Sequence, residues 1–218
     1  MKIQIIIGST REHRFSDKPA KWIYEVAKAR NEFDVELVDL RDYPLPFFEE
    51  PRSPMHLQGK YSNAAVQNWA KKIAQADGYI IVSPEYNHGY PAVLKNSIDA
   101  IYPEWNNKPV GFLSYGNAGG ARAVEQLRLV AIEMQMAPIH RALHVPSHVF
   151  MAIVRPQEGD PANPFESMTW QANAFLDELA WWAKALQVAR ETQAPVKPPV
   201  PPAPPAMVKK PAELVKAA

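Results

Sequence analysis

Ile3-Gln4-Ile5-Ile6-Ile7-Gly8-Ser9-Thr10-Arg11 opens the chain with an apolar run that stops at a glycine, two hydroxyls and a guanidinium. An apolar run of this length, ended by a turn residue, reads as a strand buried on both faces, the habit of parallel sheets covered by helices. The polar cluster stands at the carboxyl end of that strand, and a second cluster, Arg14-Phe15-Ser16, comes just before the first helical pattern. Exposed amides, hydroxyls and guanidinium groups gathered at a helix N-terminus form a phosphate cradle. An ordinary capped loop, with Ser16 or Asp17 as N-cap, would account for one of these residues but not for the set.

Further apolar runs predict strands over Val35 to Leu40, Gly78 to Val82, Val110 to Ser114 and Ile139 to Val145. Helical patterns separate them, at about Asp17 to Arg30, Asn63 to Gln75, Pro91 to Ile101, Ala121 to Met136 and Pro164 to Glu191. Pro91 suits a first helical position, where its missing N–H costs nothing. The alternation implies right-handed crossovers and a doubly wound parallel sheet. Five strands fit the flavodoxin-like order 2-1-3-4-5, a three-layer α/β sandwich that takes ligands beyond the carboxyl ends of strands 1, 3 and 4.

With 218 residues, 47% hydrophobic and 22% charged, the chain has material for one globular domain. Residues 1–193 are read as that domain, and residues 194–218, rich in proline and lysine, as an extended or disordered tail. The tail is read as a solvated appendage in preference to a polyproline ligand for a partner's aromatic groove. A net charge of +1 gives no field that would select nucleic acid, a membrane surface or an acidic partner. The absence of cysteine excludes disulfides, thiolate metal sites and a cysteine nucleophile, so redox chemistry would need a borrowed cofactor. The first apolar run is too short for a signal or a membrane span, which implies a cytoplasmic protein.

Two more loops lie at the ligand end of the predicted sheet. Strand 3 runs into Ser83-Pro84-Glu85-Tyr86-Asn87-His88-Gly89-Tyr90-Pro91, where tyrosine can cover a planar ring and amides can read its polar edge. Strand 4 runs into Ser114-Tyr115-Gly116-Asn117-Ala118-Gly119-Gly120, whose glycines let the backbone approach a flat ligand. Neither the G-x-G-x-x-G dinucleotide fingerprint nor the Walker loop is present, which favours a monophosphate ligand.

Together the three loops resemble the NADPH-dependent FMN reductase family, with its G-S-x-R, S-P-E-Y-N and S-x-G-x-x-G-G patterns. The resemblance covers about residues 1 to 190 and extends to Leu45-Pro46-Phe47-Phe48 and to Gly120-Ala121-Arg122-Ala123 through Leu127-Arg128. It implies that Ser9, Arg11 and Ser16 hold the FMN phosphate, with Arg14 as a helper. Pro84, Glu85, Tyr86 and Asn87 would line the isoalloxazine ring, and Ser114, Gly116, Asn117 and Gly120 its pyrimidine edge.

The implied reaction passes a hydride from NADPH or NADH to FMN, and electrons on to a small-molecule acceptor: free flavin, a quinone, an azo compound or a metal oxyanion. Hydride transfer needs no general acid or base, so no catalytic residue is assigned. The resemblance also implies a homodimer or homotetramer, with the Phe47-Phe48 loop packed against a partner. The alternative is a flavodoxin-type electron carrier; near-neutral charge and a phosphate loop built on arginine favour the enzyme.

Three other features carry simpler readings. Glu85, beside a proline at a strand end, is expected to cap the next helix or pair with a local arginine. His140, His144 and His148 recur every four residues, but Pro138 and Pro146 oppose a regular helix there and no carboxylate stands at ligand spacing, so no metal is expected. Trp170, Trp181 and Trp182, with Phe175, Leu176 and Leu179, mark a helix that docks on the sheet and leaves apolar surface for a subunit interface.

Overall fold

The computed structural model describes residues 1–194. Five strands, β1 (Lys2–Ile7), β2 (Asp34–Asp39), β3 (Gly78–Pro84), β4 (Pro109–Tyr115) and β5 (Ala137–His144), form one parallel sheet in the order β2-β1-β3-β4-β5. Helices α1 (Asp17–Lys28), α2 (Pro54–Leu57), α3 (Ala64–Ala74), α4 (Ala92–Asp99), α5 (Ala121–Glu133), α6 (Ser147–Val154) and α7 (Thr169–Thr192) connect and cover it.

Two-residue alternation sorts the strand side chains into two cores, one on each face of the sheet. Ile3, Ile5, Ile80, Val82 and Leu113 pack under α1 and α7, while Ile6, Tyr79, Ile81, Val110 and Phe112 pack under α3, α4 and α5. Each covering helix meets its core through an apolar stripe at helical spacing, such as Val66, Trp69, Ala70 and Ile73 on α3. The two buried indoles on that side are satisfied: Trp69 Nε1 donates to Ser97 O at 2.7 Å and Trp105 Nε1 to Ile98 O at 3.1 Å.

Gly111 decides how close α7 can come. A Cβ there would stand 2.3 Å from Phe175 Cζ, so the missing side chain is what lets the fully buried Phe175 ring lie on β4.

Several boundaries differ from the sequence reading. Asn63 is the N-cap of α3, accepting from Ala65 N at 2.8 Å, and Pro91 is the N-cap of α4 with extended backbone rather than its first residue. The last helical pattern begins as a 3-10 turn, Pro164–Met168, before α7. Helix α6 was not expected; Pro146, read as a breaker, precedes it as N-cap with extended backbone, outside the helical hydrogen bonds that a proline would interrupt.

Strand β5 bulges after Pro138, and side chains cap its irregular edge. Glu178 accepts from the amides of His140 and Arg141 at 2.7 and 3.0 Å, and Arg128 donates to the carbonyls of Ile139 and His140 at 2.6 and 2.8 Å. Among the described residues no histidine, aspartate and glutamate side chains gather in threes for a metal ion, and no helix is long and apolar enough to cross a membrane. The tail reading falls on residues outside the described ones, apart from Ala194.

Candidate functional site

The carboxyl ends of β1, β3 and β4 lie side by side, with Ile7 paired to Val82 and Ser83 to Ser114. The three polar loops of the sequence analysis therefore open at one edge of the sheet, the position where doubly wound folds take their ligands.

The first loop leaves β1 at Gly8, whose amide donates to Val82 O at 2.8 Å. No amide from Ser9 to Asp17 donates to a protein oxygen among the described residues, and α1 starts without a side-chain cap. Unpaired amides at a helix N-terminus attract an anion. Arg11 is exposed and its side chain enters no ion pair among the described residues, so its charge is available to such a ligand.

Ser9 and Ser16 are buried behind this loop, each tied to a tyrosine. Ser9 Oγ lies 3.2 Å from Tyr86 Oη, and Ser16 Oγ lies 2.6 Å from Tyr115 Oη. Burial pushes the Tyr115 hydroxyl up to about 12 against the opposing bond to Ser16, so it stays protonated. The Tyr115 ring packs on Phe15 at 4.8 Å, and Phe15 packs on Phe150 of α6 at 4.6 Å, which seals the inner side of the loop.

The Arg14 guanidinium is taken up by protein oxygens. Its Nη1 donates to Asp39 Oδ1 at 2.7 Å and its Nε to Asp17 Oδ1 at 2.8 Å, with further contacts to Asp39 Oδ2 and Ser9 O. Burial disfavours the Arg14 charge, but the two carboxylates outweigh it and hold the guanidinium protonated; burial would likewise raise Asp39, and Arg14 holds it low. The side chain braces the loop from beneath, a role that its sequence position beside Ser16 could not distinguish from direct phosphate contact.

In the second loop, Tyr86 and Gly89 exchange backbone hydrogen bonds of 2.8 and 3.0 Å around Asn87 and His88, both at positive φ. This is a type I′ turn. Glu85 was expected to cap the next helix or pair with a local arginine; instead it reaches past α4 to α5, accepting from Arg122 N at 3.2 Å and Arg122 Nε at 2.6 Å, 37 residues on, because β3 and β4 are neighbours in the sheet. Burial would raise the Glu85 carboxyl, and Arg122 brings it below its ordinary value.

The third loop turns on glycines with positive φ. A Cβ on Gly120, at φ 79°, would stand 2.6 Å from Ser114 Cβ and 2.8 Å from Tyr115 N. Ser114 Oγ donates to Gly119 O at 2.8 Å and meets His144 Nδ1 at 2.8 Å, so its hydroxyl shapes the loop from within. Asn117 stands exposed at the tip, and burial lowers the His144 imidazole.

Thus the fold brings Ser9, Ser16, Tyr86 and the glycine loop together, leaves Arg11 and Asn117 facing outward, and turns Arg14, Glu85 and Ser114 toward the protein. Sequence reasoning passed over Tyr115 and Phe150 as site residues. Tyr115 lay inside the quoted loop, but its bond to Ser16, 99 positions away, has no local signal.

An open sheet of this order, with a phosphate-type loop and two further polar loops at the same edge, defines a flavodoxin-like protein. Residues 1–149 match the NADPH-dependent FMN reductase family, and the chain belongs to it. It is a flavin-dependent NAD(P)H oxidoreductase, with FMN as cofactor and a nicotinamide nucleotide as electron donor.

Among its relatives, an NAD(P)H-dependent FMN reductase of Schizosaccharomyces pombe is 44% identical over 147 residues, 66% of this chain and 74% of that one. A quinone reductase of Escherichia coli is 30% identical over 186 residues, 80% of this chain and 94% of that one. The fold is shared with FerB, a flavoenzyme NAD(P)H:(acceptor) oxidoreductase of Paracoccus denitrificans, at a TM-score of 0.64 and 20% identity, covering 84% of this chain and 97% of that one.

Proposed function

We propose that the amides from Ser9 to Asp17, the N-terminus of α1 and the Arg11 side chain hold the FMN phosphate, with Ser9 and Ser16 beside it and Arg14 as the brace beneath. The single observation that carries this reading is the run of amides that, among the described residues, find no protein acceptor, next to an arginine that meets no carboxylate there. Pro84, Glu85, Tyr86 and Asn87 would line the ring through their turn, and Ser114, Gly116, Asn117 and Gly120 its pyrimidine edge. The positive φ of Gly116, Gly119 and Gly120 folds the glycine loop tightly against Glu85, His144 and Ser114, so that backbone rather than side chains would meet a flat group there.

Bound FMN supplies the two-electron chemistry, accepting a hydride from a nicotinamide and reducing an acceptor. The protein's own residues supply charge neutralisation at the phosphate, a wall for the ring and backbone N–H groups at its polar edge. We assign the acceptor to the class of quinones, flavins and similar small molecules, following the quinone reductase similarity. We further place the activity in residues 1–193, in a cytoplasmic homodimer or homotetramer without nucleic-acid or membrane partners. Exposure of Phe47 at 80% on the loop after β2 supports a subunit contact there.

The test is anaerobic addition of NADPH, then NADH, to the yellow protein. Bleaching by a nicotinamide alone, followed by recovery of colour on adding a quinone, is expected. If neither nicotinamide bleaches the flavin without a partner reductase, the electron-carrier reading replaces this one. In addition, Arg11→Ala should weaken FMN binding far more than riboflavin binding, since only FMN carries the phosphate; equal losses would remove Arg11 from the phosphate site.

A further inference from the structure

The turn after β3 is strained in a way its own sequence does not relieve. A type I′ turn needs positive φ at both central residues and favours Asn-Gly, but here the second position is His88, at φ 69° after Asn87 at φ 51°. Histidine carries a Cβ penalty in this region that glycine does not.

Helix α5 holds the strained residue at two points. Gln126 Nε2 donates to His88 O at 2.9 Å, and Arg122 Nη1 meets His88 Nε2 at 2.8 Å. Arginine offers only donors, so His88 Nε2 accepts and the ring proton stands on Nδ1. Arg122 and Gln126 are four residues apart, on one face of the helix. Arg122 is in turn fixed by Glu85, the residue that begins the loop. Gly89 leaves room for the grip: a Cβ there would stand 3.2 Å from Gln126 Oε1.

We infer that Arg122 and Gln126 are positioning residues for flavin recognition, clamping His88 so that the Tyr86–Gly89 turn keeps the left-handed form that presents Tyr86 and Asn87 to the ring. This rests on the reading that residues 84–87 line the flavin. None of the clamp contacts is made by Tyr86 or Asn87, so the two residues are set through His88 from helix α5. Strained backbone of this kind persists only where neighbouring structure over-determines it.

Two readouts on the full-length chain separate the clamp from the ring contact. The first is hydrogen exchange at the Tyr86 and Gly89 amides without flavin; the second is FMN affinity from quenching of flavin fluorescence. Arg122→Ala and Gln126→Ala should each speed exchange at both amides and weaken FMN binding about tenfold, the effect of losing a hydrogen bond to a strained group. His88→Gly makes the turn Asn-Gly, which holds the same shape unaided. The double variant Gln126→Ala with His88→Gly should therefore bind FMN within about twofold of His88→Gly alone.

Unchanged exchange in both single variants, or a double variant as weak as Gln126→Ala, overturns the clamp. Faster exchange with unchanged FMN affinity overturns the inference through its other premise, the placement of Tyr86 and Asn87 on the ring. Weaker affinity with unchanged exchange overturns the clamp while leaving that placement standing.

Discussion

Arg14 Nη1 and Asp39 Oδ1 stand 2.7 Å apart, joining the loop after β1 to the carboxyl end of β2. The Arg14 side chain is only 2% exposed, so its charge is tolerated only because Asp39 and Asp17 face it. Removing the guanidinium takes charge-assisted hydrogen bonds from Asp39 and Asp17, which stay partly open to water, at a cost of about 2 kcal/mol. Arg14→Ala should lose about that much stability in chemical denaturation and weaken FMN and riboflavin alike, whereas Arg11→Ala should stay within about 0.5 kcal/mol of the parent. Asp39 is held low by Arg14 even though burial opposes this, so its contribution is complete above the ordinary carboxylate range. It disappears only as pH falls through the lowered value.

Gly120→Ala should unsettle the third loop. The new Cβ would meet Ser114 Cβ at 2.6 Å and Tyr115 N at 2.8 Å, with the backbone already at φ 79°. A loss of about 2 kcal/mol is expected, with weaker FMN binding. Thermal denaturation with and without FMN measures both; an alanine that leaves both unchanged would mean that Ser114 moves aside freely.

Gly111→Ala tests the packing of α7. Its Cβ would fall 2.3 Å from Phe175 Cζ, and overpacking in a filled core costs about 1 to 3 kcal/mol. Gly111→Ala with Phe175→Leu should recover part of that loss, because the two sites share one volume. Additive losses in a denaturation cycle would show that the helix shifts as a whole.

Lys108 should make stability rise with pH. Its Nζ donates to Ile73 O, Ala74 O and Tyr79 Oη at 3.1 to 3.2 Å with no carboxylate in contact among the described residues, and burial lowers its pKa from 10.5 to about 8. Between those two values the unfolded chain binds the proton that the folded protein has released, so stability increases from pH 8 towards 10.5, by up to about 3 kcal/mol. It is lost again as pH falls back through that window. Denaturant midpoints from pH 7 to 10 should climb for the parent relative to Lys108→Met; parallel profiles would assign the slope to other groups.

The sequence by itself determined the alternation of strands and helices and the sheet end at which the polar loops stand. Apolar runs such as Ile3 to Ile7 read as buried strands, and their alternation with helices gives a doubly wound parallel sheet, a pattern that the order β2-β1-β3-β4-β5 fits. It also determined which loops stand at the ligand end, because each polar stretch directly follows a strand. Helix α6 escaped because Pro146 can end one element or begin the next.

Only the tertiary structure decided which way the side chains in those loops turn. Arg11 and Arg14 look equivalent along the chain, yet one faces outward and the other is taken by Asp39, 25 residues on. Glu85 belongs to Arg122, 37 residues away, and Ser16 to Tyr115, 99 residues away. Hydrogen-bond partners so distant in sequence leave no periodicity to read. Whether a polar group serves a ligand or the protein depends on what the fold places within about 3 Å of it.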